Sequence, residues 1–434
     1  MGRLVQKFGG TSVKDVEHIR NVAKLVAKAY NEGNQVVTVV SAMGHTTDHL
    51  VAMADDINAD ASEREMDMLL VTGEQVSIAL LAMAVQQLGL RVRSFTGGQA
   101  GIITDGNFGN ARIKHIDTHT LESALNDGEV AIVAGFQGVT EAGEICTLGR
   151  GGSDYTAVAL AAALKSETCD IYTDVNGVYT ADPRLYSGAR KLEVLSFEEM
   201  LELAQSGAQV LNARSVELGL QMQVPIRLRS TFEPDNYGTL ITHREQAPQY
   251  TVCGIACDTN RVAFTIKLPP RYRKRGAAAS AEQVPAHYLE SVSGLFHNLN
   301  SQGIGTDMVT LLGRDDETAP ELIFTVDKRA GRKVEQTIRE LRKELGDPDV
   351  RTDSDIARIS VVGSGLSCRR GVVAAIFDTL CAASIPVQML TTGDIRVTAL
   401  VPLKYRNEAI ERIHERFCIH PEELIAPVQK SRIA

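Results

Sequence analysis

The first 245 or so residues alternate short β-branched apolar runs with longer helical patterns, and this alternation limits the possible fold. Strands are predicted at Val36–Val40, Val130–Gly135 and Asp170–Thr173. Helices are predicted at Val16–Asn31, Met66–Leu88, Tyr155–Lys165 and Phe197–Gln205, the last after a capping-box pattern from Ser196 to Glu199. Such alternation is typical of a mostly parallel, doubly wound sheet covered by helices, so we predict an α/β fold.

From about residue 250 the segments shorten and one pattern occurs twice. Gly303–Met308 resembles Ser384–Met389, and each copy follows a helical pattern and precedes a strand and a second helix. The predicted elements are Val262–Leu268, His287–Leu299, Glu321–Val326 and Arg332–Leu345 in the first copy, and Ala357–Val362, Val372–Ala383, Ile395–Val401 and Asn407–Phe417 in the second. The duplication predicts two tandem βαββα units, and small-molecule sensing is the favoured use of such a pair.

Two segments lie outside this repeat. Thr251–Cys257 is an apolar run that precedes the first copy, and it is a candidate for a strand that one unit borrows. Pro269–Pro285 is an insertion in the first copy that contains a basic run, which predicts a surface loop.

Composition excludes several classes of protein. The 434 residues carry a formal charge of −9 and no Trp, which argues against a nucleic-acid-binding surface with stacking aromatics. We find neither a signal-peptide pattern nor an apolar run of the roughly 18–20 residues that a membrane helix needs. The odd number of widely spaced cysteines predicts buried reduced thiols and a cytosolic protein; these are Cys146, Cys169, Cys253, Cys257, Cys368, Cys381 and Cys418.

Two glycine-rich loops precede helices. The segment Lys7–Gly10 follows a short strand, and it is either an anion-binding loop or a plain strand–helix connector. In the second loop, Arg150 stands among glycines, and its guanidinium suits a carboxylate or a phosphate. The alternative is that Ser153 or Asp154 simply caps the following helix. Two such loops in one α/β domain favour phosphoryl chemistry.

Three further segments carry polar residues where ligands bind in open α/β sheets. Ser41 and Thr47 follow a predicted strand. Glu74 lies in a helical pattern, where it is either a site acid or part of a solvent-exposed face. The segment Tyr172–Arg184 either wraps an adenine and a ribose or forms an ordinary polar loop.

Five motifs in order closely resemble the aspartate kinases of the amino-acid kinase family: KFGGTSV, SAMGHTTDHL, VTGEQVS, TLGRGGSD and TDVNGVYTADPR. The resemblance runs from residue 1 to about 243 and continues to about 420 as two ACT-type regulatory modules. It implies an amino-acid-kinase-type sheet followed by two ferredoxin-like βαββαβ ACT domains. The implied divisions are 1–245, 246–350 and 351–434.

The resemblance implies transfer of the ATP γ-phosphoryl group to the side-chain carboxylate of L-aspartate, giving 4-phospho-L-aspartate and ADP. This is the first step toward lysine, threonine and methionine. It further implies Mg²⁺ carried mainly by the phosphates, a homodimer formed through the ACT domains, and lysine or threonine as effector. The composition and the lack of a long apolar run predict a cytoplasmic location and neither nucleic acid nor membrane as partner. Two alternatives stay open: a kinase for another acidic amino acid, and a catalytically weak amino-acid-sensing paralogue that regulates a partner.

Matching each motif residue by residue implies a set of site residues and no protein-held metal. The implied catalytic residues are Lys7 and Asp154. The implied aspartate-binding residues are Ser41, Thr47, Glu74, Arg150, Gly151, Gly152 and Ser153. The implied ATP-binding residues are Lys7, Phe8, Gly9, Gly10, Thr173, Asp174, Tyr179, Asp182, Arg184 and Gln209. The candidate effector positions are Thr306, Asp307 and Gln388.

The regulatory modules depart from the family pattern. The short Asp-x-Pro-Gly turn of the first module is replaced by the insertion at 269–285, and Pro386 stands where the family often has Asn. Proline removes a backbone donor, so the identity of the effector stays open.

The kinase domain departs at one position, which generates a prediction. Where the family has GAKVLHPR, Gly207–Arg214 reads GAQVLNAR, so that Gln209 replaces a lysine near the nucleotide phosphates. A neutral amide cannot neutralise phosphate charge, whereas Lys7 and Arg184 remain. We expect Gln209→Lys to lower the ATP KM several-fold with the aspartate KM unchanged in steady-state assays. An ATP KM that does not fall would contradict this role.

Overall fold

The computed structural model describes residues 2–248, 251–268, 286–312, 320–364, 366 and 371–418. The chain forms two compact units. One is built mainly from Met1–Gly254, and the other from Ile255–Val361 and Leu366–Phe417.

The first unit contains alternating strands and helices. Its strands are β1 (Arg3–Phe8), β2 (Gln35–Val40), β3 (Val92–Phe95), β4 (Ile102–Thr104), β5 (Ile113–Ile116), β6 (Val130–Ala134), β7 (Gln137–Val139), β8 (Ile145–Thr147), β9 (Cys169–Thr173), β10 (Val194–Ser196), β11 (Ile226–Ser230) and β12 (Thr239–Thr242). Its helices are α1 (Val16–Asn31), α2 (Thr46–Asn58), α3 (Glu63–Leu70), α4 (Thr72–Gln87), α5 (His119–Asn126), α6 (Gly152–Ala163), α7 (Phe197–Gln205) and α8 (Ala213–Met222).

The predicted mostly parallel α/β sheet is confirmed. Eight strands pair in the order β10-β12-β11-β9-β1-β2-β6-β3, and the β11–β12 pair is antiparallel. A smaller sheet has the order β5-β4-β7-β8. The capping box is present as well, because the Ser196 hydroxyl accepts from the Glu199 backbone N–H and the Glu199 carboxylate accepts in return.

Helices cover both faces of the large sheet. Buried side chains of α1 and α4, Val22 and Leu81 among them, pack with Phe8 and Val40 of the sheet. Helix α6 packs against β1, β2 and β9. The helix predicted at Met66–Leu88 is wrong as a single element, because a turn at Val71 separates α3 from α4.

One helical stretch among the described residues, Glu63–Gln87, is long and apolar enough to cross a membrane, which the sequence prediction missed. This is weak evidence for a span, because core helices of folded domains pass the same test. Here α4 buries Ile78, Leu81 and Val85 in the core of the first unit.

The second unit contains two four-stranded sheets. Its strands are β13 (Gly254–Asp258), β14 (Arg261–Lys267), β15 (Thr306–Leu312), β16 (Glu321–Asp327), β17 (Asp349–Asp353), β18 (Ile356–Val362), β19 (Met389–Thr392) and β20 (Arg396–Pro402). Its helices are α9 (Ala286–Ser301), α10 (Gly331–Glu340), α11 (Val372–Ala382) and α12 (Arg406–Cys418).

The sheets have the orders β15-β16-β14-β17 and β13-β18-β20-β19, which confirms the predicted duplication. The fourth strand of the second sheet is β13, so the prediction of a borrowed strand is confirmed. The insertion at 269–285 lies outside the described residues.

The cysteines of the described residues are free thiols. Cys146, Cys169 and Cys253 are buried, as predicted, whereas Cys257 is half-buried and Cys381 is exposed, so the prediction of burial is wrong for these two. The side chains of Cys368 and Cys418 lie outside the described residues.

The packing of α4 predicts a large effect of a single truncation. Leu81 is fully buried, whereas Leu88, at the end of the same helix, is exposed. We expect Leu81→Ala to lower the free energy of unfolding by about 2–5 kcal/mol, because it removes buried apolar surface and leaves a cavity. Leu88→Ala is the matched control, with a change below about 1 kcal/mol. Urea titration followed by circular dichroism measures both, and equal losses would contradict the packing.

Candidate active site

The carboxyl ends of three neighbouring parallel strands meet at one edge of the large sheet. β1 pairs in parallel with β2 and with β9. The backbone continues this alignment, because Ser41 N–H donates to the Phe8 carbonyl at 3.1 Å and Gly9 N–H donates to the Tyr172 carbonyl at 3.3 Å. This edge is where open α/β sheets bind their ligands.

A buried ion pair lies at this edge. Lys7 is near the end of β1, between Val39 and Ile171 of the adjacent strands. Its Nζ is 2.6 Å from Oδ1 of Asp154 in the first turn of α6, and the two side chains are only 11% and 14% exposed. Partial burial strengthens the attraction between the two charges, so the pair fixes an ammonium group at the strand end.

Glycine allows the neighbouring segments to approach closely. A Cβ on Gly10 would lie 2.9 Å from the Ala42 carbonyl oxygen, which no side chain tolerates without a shift. A Cβ on Gly135, just after β6, would lie 2.7 Å from the Ser153 side chain of α6. The loop after β1 is therefore packed against the loop after β2, and the residue after β6 is packed against the start of α6.

Glu74 lies in the first turn of α4 and is 3% exposed, so the solvent-exposed alternative is wrong. Its Oε1 accepts from the Ala42 backbone N–H at 3.0 Å, next to Ser41. Within the described residues its Oε2 has no hydrogen-bond partner. Burial raises the pKa of Glu74 to about 7. The side chain is thus a buried carboxyl with one oxygen available to a donor.

The loop that carries Arg150 is held by its backbone. Gly149 and Gly151 adopt the left-handed conformation, with φ of 73° and 72°. A Cβ on Gly151 would lie 2.3 Å from Asn212 Nδ2, which donates to the Arg150 carbonyl at 3.2 Å. The N-cap of α6 is Gly151, so the hypothesis that Ser153 or Asp154 caps this helix is wrong. The Arg150 residue itself is exposed.

The segment after β9 forms a network of local hydrogen bonds. Thr173 Oγ1 donates to Asp174 Oδ1 at 2.9 Å. Arg184 donates two hydrogen bonds to Asp182, from Nε to Oδ1 at 3.0 Å and from Nη2 to Oδ2 at 2.8 Å. This fork geometry leaves the Arg184 side chain 83% exposed and oriented.

The remaining predicted residues lie in turns. The Tyr179 hydroxyl donates to Asn176 Oδ1 at 2.7 Å. Thr47 is half-buried in the first turn of α2, and Gln209 is exposed in the turn before α8. The structure brings Lys7 together with Asp154, whereas it gives Gln209 no contact with either of them.

Comparison with known proteins decides the family. Residues 2–230 match the model of the amino acid kinase family, and residues 359–417 match an ACT domain. The aspartokinase of Geobacillus stearothermophilus is 44% identical over 423 residues, which cover 97% of this chain and 98% of that protein. Aspartokinase 2 of Bacillus subtilis is 44% identical over 418 residues, which cover 96% and 98%. The chain belongs to the aspartokinase family.

Solved structures agree with this assignment. The aspartate kinase of Synechocystis is 35% identical with a TM-score of 0.52, over 96% of this chain and 69% of that one. Aspartokinase III of Escherichia coli, solved with aspartate and ADP, has a TM-score of 0.77 at 24% identity, over 95% and 99%, and supports the fold. The likeness over nearly the whole chain supports an aspartate kinase enzyme.

Two charged residues that contact the segment before Arg150 were missed from the sequence. Asp67 of α3 is fully buried, and Arg214 of α8 contacts the segment before Arg150. The signal for Asp67 was a lone acid inside the apolar run MDMLL, because a buried charge requires partners. Arg214 ends the GAQVLNAR segment, in which the departure from the family pattern at Gln209 is the stronger signal.

The candidate effector positions have different partners in the second unit. Asp307 forms an ion pair with Arg358, whose side chain is almost fully buried. Gln388 Nε2 donates to Asp353 Oδ2 at 2.9 Å, and Thr306 lies opposite Val326 in the sheet. The carboxylate of Asp307 is thus already neutralised from within the chain.

The burial of Glu74 predicts a pH-dependent stability difference. Its pKa is raised from 4.5 to about 7, so the folded protein holds a proton that the unfolded chain releases between these values. Wild-type stability therefore falls across that window as pH rises, by up to about 3 kcal/mol. Glu74→Gln removes this dependence. Urea titrations at pH 5 and pH 8 should show the variant gaining stability relative to wild type at the higher pH, and an identical difference at both would refute it.

Proposed function

We propose that Lys7 neutralises the phosphoryl group during its transfer and that Asp154 orients Lys7. The ion pair of 2.6 Å at the strand end supports this proposal. Phosphoryl transfer depends on positioning and charge neutralisation, and a fixed ammonium in a partly dry site supplies both. The Gly10 amide, in the tight turn after Phe8, would bind a phosphate oxygen beside it, whereas the Gly9 amide already donates to the Tyr172 carbonyl.

The nucleophile in this scheme requires no base. The side-chain carboxylate of free aspartate is already ionised at neutral pH, because its ordinary pKa is about 3.9. Asp154 is therefore assigned to hold Lys7 and not to remove a proton. The energetic problem is to bring two anions, the aspartate carboxylate and ATP, within reach of each other.

We propose that Glu74, Thr47 and Arg150 bind aspartate. The free Oε2 of Glu74 would accept from the substrate ammonium, and a bound cation would lower the raised pKa of this carboxyl. Arg150 would bind a substrate carboxylate with two parallel hydrogen bonds. The neighbouring wall of the site would comprise Ser41, Gly151, Gly152 and Ser153.

We propose that ATP is bound on the other side of Lys7 by the segment after β9. Arg184, held in a fixed orientation by Asp182, would contact phosphate, and its exposure leaves room for the ligand. Thr173, Asp174 and Tyr179 would surround the base and ribose, with Gln209 near the phosphates.

We propose that a magnesium ion is carried by the nucleotide. Among the described residues no group of three or more His, Cys, Asp or Glu side chains is placed to hold a metal. Mg²⁺ usually keeps several waters and binds substrate phosphates. Bound in that way, the ion would neutralise part of the phosphate charge. Lys7 and Arg184 would neutralise the part that falls to the protein.

We propose feedback control through the second unit. The Escherichia coli enzyme has been solved with lysine and aspartate in its T-state, and lysine or threonine is proposed as effector here. The Thr306, Asp307 and Gln388 positions remain candidates for that site. We also propose that the chain forms a dimer through the ACT-type modules and that it is cytoplasmic. The proposed domain divisions are 1–245, 246–350 and 351–434.

A coupled assay of ADP release tests the whole scheme. With ATP and Mg²⁺, we expect release to depend on L-aspartate, to be much weaker with L-glutamate, and to fall when lysine or threonine is added. Absence of aspartate-dependent ADP release would contradict the proposed reaction and favour a catalytically weak sensing paralogue. Faster release with L-glutamate than with L-aspartate would favour a kinase for another acidic amino acid.

The Arg150 assignment makes a sharper prediction. Arg150→Lys keeps the charge but removes the bidentate fork, so we expect the aspartate KM to rise roughly tenfold, equivalent to about 1.4 kcal/mol. The ATP KM should stay within about twofold. Arg20→Lys, an exposed arginine on α1, is the matched control and should leave both values unchanged. A normal aspartate KM in Arg150→Lys would remove this residue from the site.

A further inference from the structure

Two charged side chains bridge the same pair of loops beside the site. We call residues 107–111 and 147–150 the paired loops; they are joined directly by the Ala111 N–H, which donates to the Thr147 carbonyl at 2.9 Å. Asp67 of α3 reaches both. Its Oδ2 accepts from the backbone N–H groups of Gly109 at 3.0 Å and Thr147 at 2.9 Å, and its Oδ1 accepts from the Thr147 hydroxyl.

Arg214 of α8 contacts the same loops through its guanidinium, which donates hydrogen bonds to their oxygen atoms. Its Nη1 donates to the Leu148 carbonyl at 2.8 Å and to Asn110 Oδ1 at 2.9 Å. Its Nη2 donates to the Ala111 carbonyl at 3.4 Å, and the guanidinium lies 4.9 Å from the centre of the Tyr155 ring.

The two residues are complementary in charge and in hydrogen bonding. Asp67 satisfies donors of the paired loops, and Arg214 satisfies acceptors of the same loops. Because Asp67 is fully buried, loss of a carboxylate oxygen would leave backbone N–H groups of the loops without partners. The paired loops are thus fixed from two helices that are far apart in the sequence.

The second of the paired loops ends at Arg150. Arg214 holds the Leu148 carbonyl and Asn212 holds the Arg150 carbonyl, so the backbone is anchored on both sides of the Arg150 Cα. The Arg150 side chain is exposed and has many rotamers, so the direction in which it leaves the backbone sets how often it meets a carboxylate.

We infer that Asp67 and Arg214 are positioning residues for aspartate binding, acting through the backbone that carries Arg150. This inference rests on the proposed role of Arg150. Neither residue is required to touch substrate, and the effect is expected on aspartate affinity more than on turnover.

The first test is Arg214→Lys. A lysine ammonium cannot contact acceptors in both loops in the planar fork that the guanidinium forms, although it keeps the charge. We expect the aspartate KM to rise at least fivefold, with kcat and the ATP KM within about twofold. Arg3→Lys is the matched control. Arg3 Nη1 also donates to both a carboxylate and a backbone carbonyl, those of Glu122 and Leu164, but it lies at the opposite end of β1. It should leave the aspartate KM unchanged.

Asp67→Asn is the second test and reaches the loops from the other side. The variant is isosteric, but its amide N–H₂ takes the place of one carboxylate oxygen, so backbone N–H groups of the paired loops lose the acceptor that this oxygen supplies. The same selective rise in aspartate KM is expected. If Arg214→Lys fails to fold, as judged by circular dichroism and melting temperature, Asp67→Asn decides the question. A folded variant in which kcat falls and both KM values rise to a similar extent would overturn the inference.

A double-mutant cycle separates this inference from the function on which it rests. If Arg214 acts through Arg150, the Arg150→Lys and Arg214→Lys effects on aspartate KM will be less than additive. Full additivity would overturn the positioning role while leaving Arg150 as a ligand. If Arg150→Lys alone has no effect, the Arg150 assignment fails and the inference fails with it, although aspartate-dependent ADP release would still establish the kinase.

Discussion

The ion pair between Lys7 and Asp154 is the interaction on which the arrangement of the first unit depends. It joins the end of β1 to the first turn of α6, and both charges are largely removed from water. Removing one partner from such a pair typically costs about 3–5 kcal/mol, because the other charge is left buried alone. The close approach of α6 at Gly135 keeps the two charges together, so sheet register, glycine placement and electrostatics support one another at this point.

Much of this fold could be predicted because its signals are local. Helices α1 and α7 begin and end at the residues predicted for them, since each has an apolar face of helical period and a polar cap at its start. The core strands differ from prediction by about one residue at their ends. The two regulatory sheets followed from the duplication, because equal patterns fold equally in similar surroundings.

The contents of the site were harder to predict, for a physical reason. Helix α4 carries no charged residue after Glu74 until its end at Gln87, so the sequence contains no polar face to show which side is buried. The burial of Glu74 depends on the loop after β2, whose Ala42 N–H donates to its carboxylate and is distant in the sequence. The partners of Asp67 could not be predicted either, because they are backbone groups of loops that follow it by forty or more residues.

The strand β13 has a consequence for how the second unit is made. During synthesis it leaves the ribosome before the entire first module, yet its neighbour in the sheet is β18, which follows that module. Until β18 is synthesised, the polar backbone edge of β13 is without its final partner and open to pairing with other chains. A fragment that starts after this strand would expose the matching edge of β18. The repeat in the sequence is therefore not a pair of separable proteins, because the later module is completed by chain that precedes the earlier one.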